Sequence, residues 1–152
     1  MAIVRGFAFP DDLHYLMEQD TWARFDADGL VTVGLTSLGA HISGEFFAFM
    51  PKRLGTEIER DRAFGMLEMS KVVRSAHAPV SGTIIAINAE ARTHPTLVNQ
   101  DPYGRGWLVR LKPSAWQTDS AMLVSGQSIA DAAIRYMYLN LVLQFGEEPP
   151  AA

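Results

Sequence analysis

Lys71 sits in the middle of the stretch Phe64–Gly82, FGMLEMSKVVRSAHAPVSG. The residues on either side predict two short strands, Phe64–Met69 and Val72–Ser75, joined by a tight turn that holds the lysine. A primary amine in that place suits covalent attachment of a prosthetic group. Such a lysine must be reached by a modifying enzyme and then by several partner active sites. A hairpin tip exposes it and still fixes its direction. Ser70 leaves room for close approach, and Ala78-Pro79-Val80-Ser81-Gly82 turns the chain away afterwards. Gly82 is read as a turn glycine, intolerant of valine if it needs positive φ. An ordinary solvent lysine in a hairpin satisfies the same spacing and is commoner, so the rest of the sequence has to decide.

The elements that must position this hairpin read as short strands. Residues 1–9 form an irregular or weak strand segment, and Phe9–Leu16 a turn or one helical turn with Pro10 near its start. Trp22–Phe25 and Leu30–Leu35 are hairpin partners around the turn Asp26-Ala27-Asp28-Gly29. Thr36 caps a short helix over 37–42. Further strands are expected at Phe46–Met50, within Leu54–Ile58, at Gly82–Asn88 and at Trp107–Lys112, with a short helix at Thr93–Val98. Many short strands separated by Gly, Pro and Asp turns argue for a small β core. The C-terminal segment differs. A helix starts at Ser128–Asp131 and continues to Gln144, with one apolar stripe through Ile129, Ala133, Tyr136, Leu139 and Leu143. Met137, Tyr138, Leu141 and Val142 lie off that stripe, which leaves the helix either packed on the barrel or offering a partner surface. Residues 146–152 read as a disordered tail.

Composition excludes several classes. With 152 residues, 48% of them hydrophobic, the chain makes one domain with a sizeable core. A net charge of −4 without a basic run beyond Pro51-Lys52-Arg53 argues against nucleic acid. The absence of cysteine removes disulfides, thiolate nucleophiles and zinc–thiolate sites, so any thiol chemistry has to come from an added group. No run is apolar enough for a membrane span, and no signal-peptide pattern opens the chain, which makes a cytoplasmic protein the expectation. His14, His41, His77 and His94 form no metal-ligand spacing. His77, six residues past Lys71, is a candidate to face a bound group, though more simply a surface strand histidine. No catalytic constellation or phosphate-binding loop is present.

Two blocks resemble the glycine cleavage H-protein family. Glu68-Met69-Ser70-Lys71-Val72-Val73-Arg74 aligns without gaps to that family's lipoyl-attachment pattern E-S-V-K-A-A-S, and Lys71 stands eight positions before Pro79, as it does there. Leu97-Val98-Asn99-Gln100-Asp101-Pro102-Tyr103-Gly104-Arg105-Gly106-Trp107-Leu108 is similar to the family's L-V-N-S-D-P-Y-G-E-G-W-L. The resemblance covers roughly residues 10–115. It implies a mostly β lipoyl-domain barrel-sandwich hybrid of two small sheets, with short flanking helices and a C-terminal helix. The carrier domain would span 1–118, a helical extension packed on it 119–145, and the tail 146–152. It implies lipoate amide-linked to Lys71, with Glu68, Ser70 and Val72 around the attachment point and no catalytic residue or metal ligand. Biotin carriers place Met on both sides of their lysine; here Ser70 and Val72 flank it, which favours lipoate. The expected partners are a lipoate ligase or lipoyl transferase, and then redox or transferase enzymes visited by a swinging dithiol arm.

The sequence also departs from the pattern. The family's K-E-H-E-W motif is replaced by Met17-Glu18-Gln19-Asp20-Thr21-Trp22, which lacks the histidine and is one residue longer between Tyr15 and Trp22. Val72-Val73 and Arg74 replace small residues, Phe46–Pro51 is shorter by one, and the C-terminal helix is longer and more apolar. These departures resemble the H-like lipoate-binding proteins of a heterodisulfide-reductase-like sulfur oxidation system, where the dithiol carries sulfur intermediates. The sequence leans to that reading. The alternative is a glycine cleavage H-protein carrying an aminomethyl group between glycine decarboxylase, aminomethyltransferase and dihydrolipoyl dehydrogenase. A third reading is an unlipoylated H-fold binding module. In all three the chain is a non-catalytic subunit.

Overall fold

The structure, a computed structural model, describes residues 1–140. Its strands are β1 (Ala2–Val4), β2 (Phe7–Phe9), β3 (His14–Leu16), β4 (Thr21–Phe25), β5 (Val31–Leu35), β6 (Ala48–Pro51), β7 (Glu57–Ile58), β8 (Ala63–Glu68), β9 (Val73–His77), β10 (Gly82–Ile87) and β11 (Val109–Pro113). Its helices are α1 (Ser37–Ser43), α2 (Ala89–Thr93), α3 (Leu97–Gln100), α4 (Trp116–Ser120) and α5 (Ile129–Leu139), with a 3-10 turn at Met17–Gln19.

The mostly β architecture matches the expectation, with one more sheet than foreseen. A six-stranded antiparallel sheet has the order β3-β4-β5-β11-β10-β7, and a three-stranded sheet the order β6-β8-β9. Separately, β1 and β2 pair as an N-terminal hairpin. β5, fully buried along its length, is central because Val, Thr and Leu fit a strand covered on both faces. One core lies between the six- and three-stranded sheets, where Val33, Leu35, Phe49, Phe64, Leu67, Ala76, Ile84 and Leu111 meet. A second core lies beneath the N-terminal hairpin, with Phe9, Tyr15, Trp22 and Leu38 packed against Ile129, Ala133 and Met137 of α5.

Several local expectations change. Of the two readings of Phe9–Leu16, the turn holds and the helical turn does not: Asp11-Asp12 turn the chain from β2 into β3, and the Tyr15 hydroxyl donates to the Pro10 carbonyl at 2.7 Å. The strand expected from Phe46 starts at Ala48, because Phe46 turns into the core and its N–H is taken by Asn99 Oδ1 at 3.0 Å. Asn88 closes β10 and also caps α2, accepting from the Glu90 N–H at 3.1 Å. The helix expected at Thr93–Val98 begins only at Leu97. On α5 the buried stripe is Ile129, Ala133 and Met137; Tyr136 is half-buried and Leu139 is 70% exposed. The helix is rotated from the expected stripe because its apolar face meets β1 and the 3-10 turn. The expected continuation to Gln144 and the tail at 146–152 lie outside the described residues.

Candidate functional site

β8 and β9 form the hairpin that carries Lys71. Glu68 pairs with Val73, and the Met69 N–H donates to the Val72 carbonyl at 2.9 Å. That leaves Ser70-Lys71 as a two-residue tip. Neither tip residue has positive φ. Met69 is buried in the main core, so it anchors the tip from below, while Ser70, Lys71 and Val72 are exposed. Glu68 is exposed too, and its carbonyl accepts from the Phe47 N–H at 2.8 Å. The four residues singled out from the sequence, Glu68, Ser70, Lys71 and Val72, therefore stand together at one end of the hairpin. Lys71 makes no hydrogen bond or ion pair among the described residues.

The other end of the hairpin is fixed to the body. The Ala78 carbonyl accepts from the Asp61 N–H at 2.7 Å, and the Ser81 N–H donates to Asp119 Oδ2 at 2.8 Å. Gly82 does not need positive φ. Its requirement is close approach, since a Cβ there would lie 2.5 Å from the Lys112 carbonyl oxygen on β11. His77 lies at this base, paired with Asp61 at 3.1 Å, far along β9 from the lysine.

Nothing in the spacing of the sequence pointed to the polar cluster that holds β9 near the tip. Arg74 Nη1 donates to Ser43 Oγ at 2.7 Å, and Nη2 to the Gln19 carbonyl at 3.2 Å and to Asp20 Oδ2 at 3.3 Å. Asp20 is buried at the end of the 3-10 turn on which α5 packs, and Tyr136 of α5 interacts electrostatically with its carboxylate. Burial pushes the Asp20 carboxyl above its ordinary pKa, against the opposing pull of Tyr136 and Arg74. α1 passes so close that a Cβ on Gly39 would sit 2.4 Å from Asp20 Cβ.

The Leu97–Leu108 block is a staple between elements. Tyr103 donates to the Ala8 carbonyl at 2.6 Å and accepts from the Ser37 N–H at 3.1 Å, tying β2 to the start of α1. Asn99 Nδ2 donates to the Gly44 carbonyl at 2.7 Å. Trp22 Nε1 donates to the carbonyls of Leu35 and Pro102, at 2.8 and 3.2 Å. A cleft of about 620 Å³ opens between this block, β2 and α1, lined by Ser37, His41, Gly44 and Tyr103. It lies on the side of α1 turned away from Arg74.

The sequence model of the family described as Glycine cleavage H-protein matches residues 13–135, most of the chain. The chain belongs to the glycine cleavage H-protein family. It is 34% identical over 135 residues to "Glycine cleavage system H protein 5" of Aquifex aeolicus, covering 86% of this chain and 90% of that one. It is 32% identical over 133 residues to "Glycine cleavage system H protein 2" of the same organism, covering 88% and 83%. In three dimensions it is similar to a crystal structure of a glycine cleavage system H protein from Mycobacterium marinum. The TM-score is 0.69 at 27% identity, over 87% of this chain and 98% of that one.

Within this H-protein fold the strands of the lysine hairpin line the main core, and its tip residues Ser70, Lys71 and Val72 are exposed. Among the described residues no group of three histidine or carboxylate side chains is placed to hold a metal, and no helix is long and apolar enough to cross a membrane.

Proposed function

We propose that this H-protein family member is a lipoyl carrier, with lipoate in amide linkage to Lys71, acting as a non-catalytic subunit in the cytoplasm. One observation carries the reading. The only lysine of the hairpin is exposed, makes no hydrogen bond or ion pair among the described residues and stands at a two-residue tip whose strands are fixed at both ends. The residues fit the group. Ser70 and Val72 are exposed beside the amine, so a lipoate ligase or lipoyl transferase has open approach from either flank. Amide formation replaces an ammonium with a neutral group, and a lipoyl group supplies a dithiolane that opens and closes by thiol–disulfide exchange. The protein's part is to present that group to successive active sites at high effective concentration.

For the cargo, the relatives' names support the glycine cleavage reading over the sulfur-oxidation reading to which the sequence departures lean. The partners would be glycine decarboxylase, aminomethyltransferase and dihydrolipoyl dehydrogenase, and the cargo an aminomethyl group. The sulfur reading rests on the sequence departures alone.

Intact mass of the protein made with lipoate and a competent ligase, followed by peptide mapping, tests the attachment. A lipoyl increment on Lys71 supports the carrier role, and its absence under all conditions leaves an H-fold binding module. Glycine decarboxylation in a reconstituted mixture then separates the two cargo readings.

A further inference from the structure

The tip of the hairpin has few supports of its own. β9 is the outermost strand of its sheet, bonded only to β8, and both valines after the lysine are exposed, Val72 at 60% and Val73 at 49%. An edge strand of this kind does not by itself define a direction for the side chain at its end. Met69 anchors the β8 side of the tip in the main core; on the β9 side the polar connection to the rest of the molecule is made three residues beyond Lys71 by one side chain, Arg74. Its planar fork reaches three acceptors on two separate segments: Ser43 at the end of α1, and Gln19 with Asp20 after β3. An arginine does this where a lysine cannot, because its donors are spread in fixed directions. Asp20 closes the 3-10 turn on which α5 packs, and Tyr136 of α5 interacts with its carboxylate. The hairpin and α1 therefore meet at the Arg74 guanidinium, which is paired with the turn residue beside α5.

We propose that Arg74 is the positioning residue of the carrier hairpin, and that Asp20 and Tyr136 extend this control to α5. This rests on the lipoyl reading for its consequence, though not for the coupling itself. When Arg74 is seated, Lys71 projects in one direction relative to α1 and α5, and a docking enzyme meets the arm where it expects it. When Arg74 is removed, the amine remains exposed, but the tip samples many directions. The loss then falls on recognition by partner enzymes and not on the chemistry of the arm.

Two readouts test it, one without lipoate. Amide hydrogen exchange is measured on the unmodified wild type, Arg74→Ala, Arg74→Lys and Tyr136→Phe. The expected result is faster exchange over 66–76 in Arg74→Ala, together with faster exchange at the C-terminal turn of α5. Tyr136→Phe should reproduce part of the hairpin effect from a distance. The same proteins, confirmed by mass as fully lipoylated, are then reduced with NADH by a dihydrolipoyl dehydrogenase, two electrons passing to the lipoyl disulfide. KM for the carrier should rise about fivefold or more in Arg74→Ala with kcat unchanged, and Arg74→Lys should recover part of the loss. Free lipoamide serves as the control for the enzyme. Where Arg74→Ala fails to fold, Arg74→Lys and Tyr136→Phe carry both readouts. Unchanged exchange over 66–76 together with unchanged KM in a folded variant overturns the proposal. A wild type that takes no lipoyl group counts against the carrier reading instead, while exchange still decides the coupling.

Discussion

Arg74 and Asp20 form an ion pair, 3.3 Å from Nη2 to Oδ2, between the edge strand that follows Lys71 and the residue that closes the 3-10 turn. The carboxylate is almost wholly buried and the guanidinium about one-fifth exposed, so water does little to screen the pair. It joins the departures from the family pattern on both sides, the replaced segment Met17–Trp22 and the Val72-Val73-Arg74 run, into one contact.

That contact makes stability depend on pH in a defined direction. Burial raises the Asp20 carboxyl above its ordinary value of 3.8. Between the ordinary and the raised value the folded state binds more protons than the unfolded chain, so stability falls as pH rises through that window. It is fully present below the window and fully lost above it. Arg74 pulls the carboxyl down, so Arg74→Ala should extend the window upward and enlarge the loss. The expected cost is about 3 kcal/mol at neutral pH, because an unpaired charge is left buried, and clearly less at the acid end, where Asp20 is protonated. Urea unfolding from about pH 4 to about pH 8 measures it. A cost that does not vary with pH counts against this account.

Lys71→Arg should abolish modification and leave the fold alone. A guanidinium remains protonated and is not acylated, whereas an exposed residue without partners contributes little to stability. Intact mass should show no lipoyl increment, and the melting midpoint should match wild type. An increment persisting in the variant places the attachment elsewhere.

Gly82→Val should destabilise the protein by about 2 kcal/mol or more through overpacking. The cause is contact with the Lys112 backbone, 2.5 Å from an added Cβ, and not φ. Because backbone on both strands must shift, Gly82→Ala should already carry a measurable part of the cost. A stability curve for Gly82→Ala superimposable on wild type is the outcome against it.

What the sequence disclosed and what it hid follow from how local each signal is. The Lys71 hairpin was legible because alternation, a tight tip and Pro79-to-Gly82 all lie within one stretch, and the Thr36 cap because Thr36 Oγ1 accepts from Gly39, three residues on. The staple role of Tyr103 and Asn99 was not legible, since Ala8, Ser37 and Gly44 are remote in sequence and bonded through backbone atoms that have no residue signature. Arg74, Asp20, Ser43 and Tyr136 come from four separate segments, and each alone reads as an ordinary polar residue. The α5 stripe was misplaced because Tyr136 and Met137 are equally apolar by type. Tertiary packing decides between them: Met137 is buried in the second core, whereas Tyr136 is only partly buried against it.

That rotation of α5 makes a last prediction. Ile129 is fully buried against the N-terminal hairpin, whereas Leu139 is 70% exposed, although both belong to the stripe read from the sequence. Ile129→Ala should cost about 2–5 kcal/mol, the loss of buried methylenes plus the cavity they leave. Leu139→Ser should stay within about 0.5 kcal/mol of wild type, because an exposed position loses no burial. Denaturant midpoints of the two variants, measured side by side, check the orientation. Equal large losses would count against this orientation of α5.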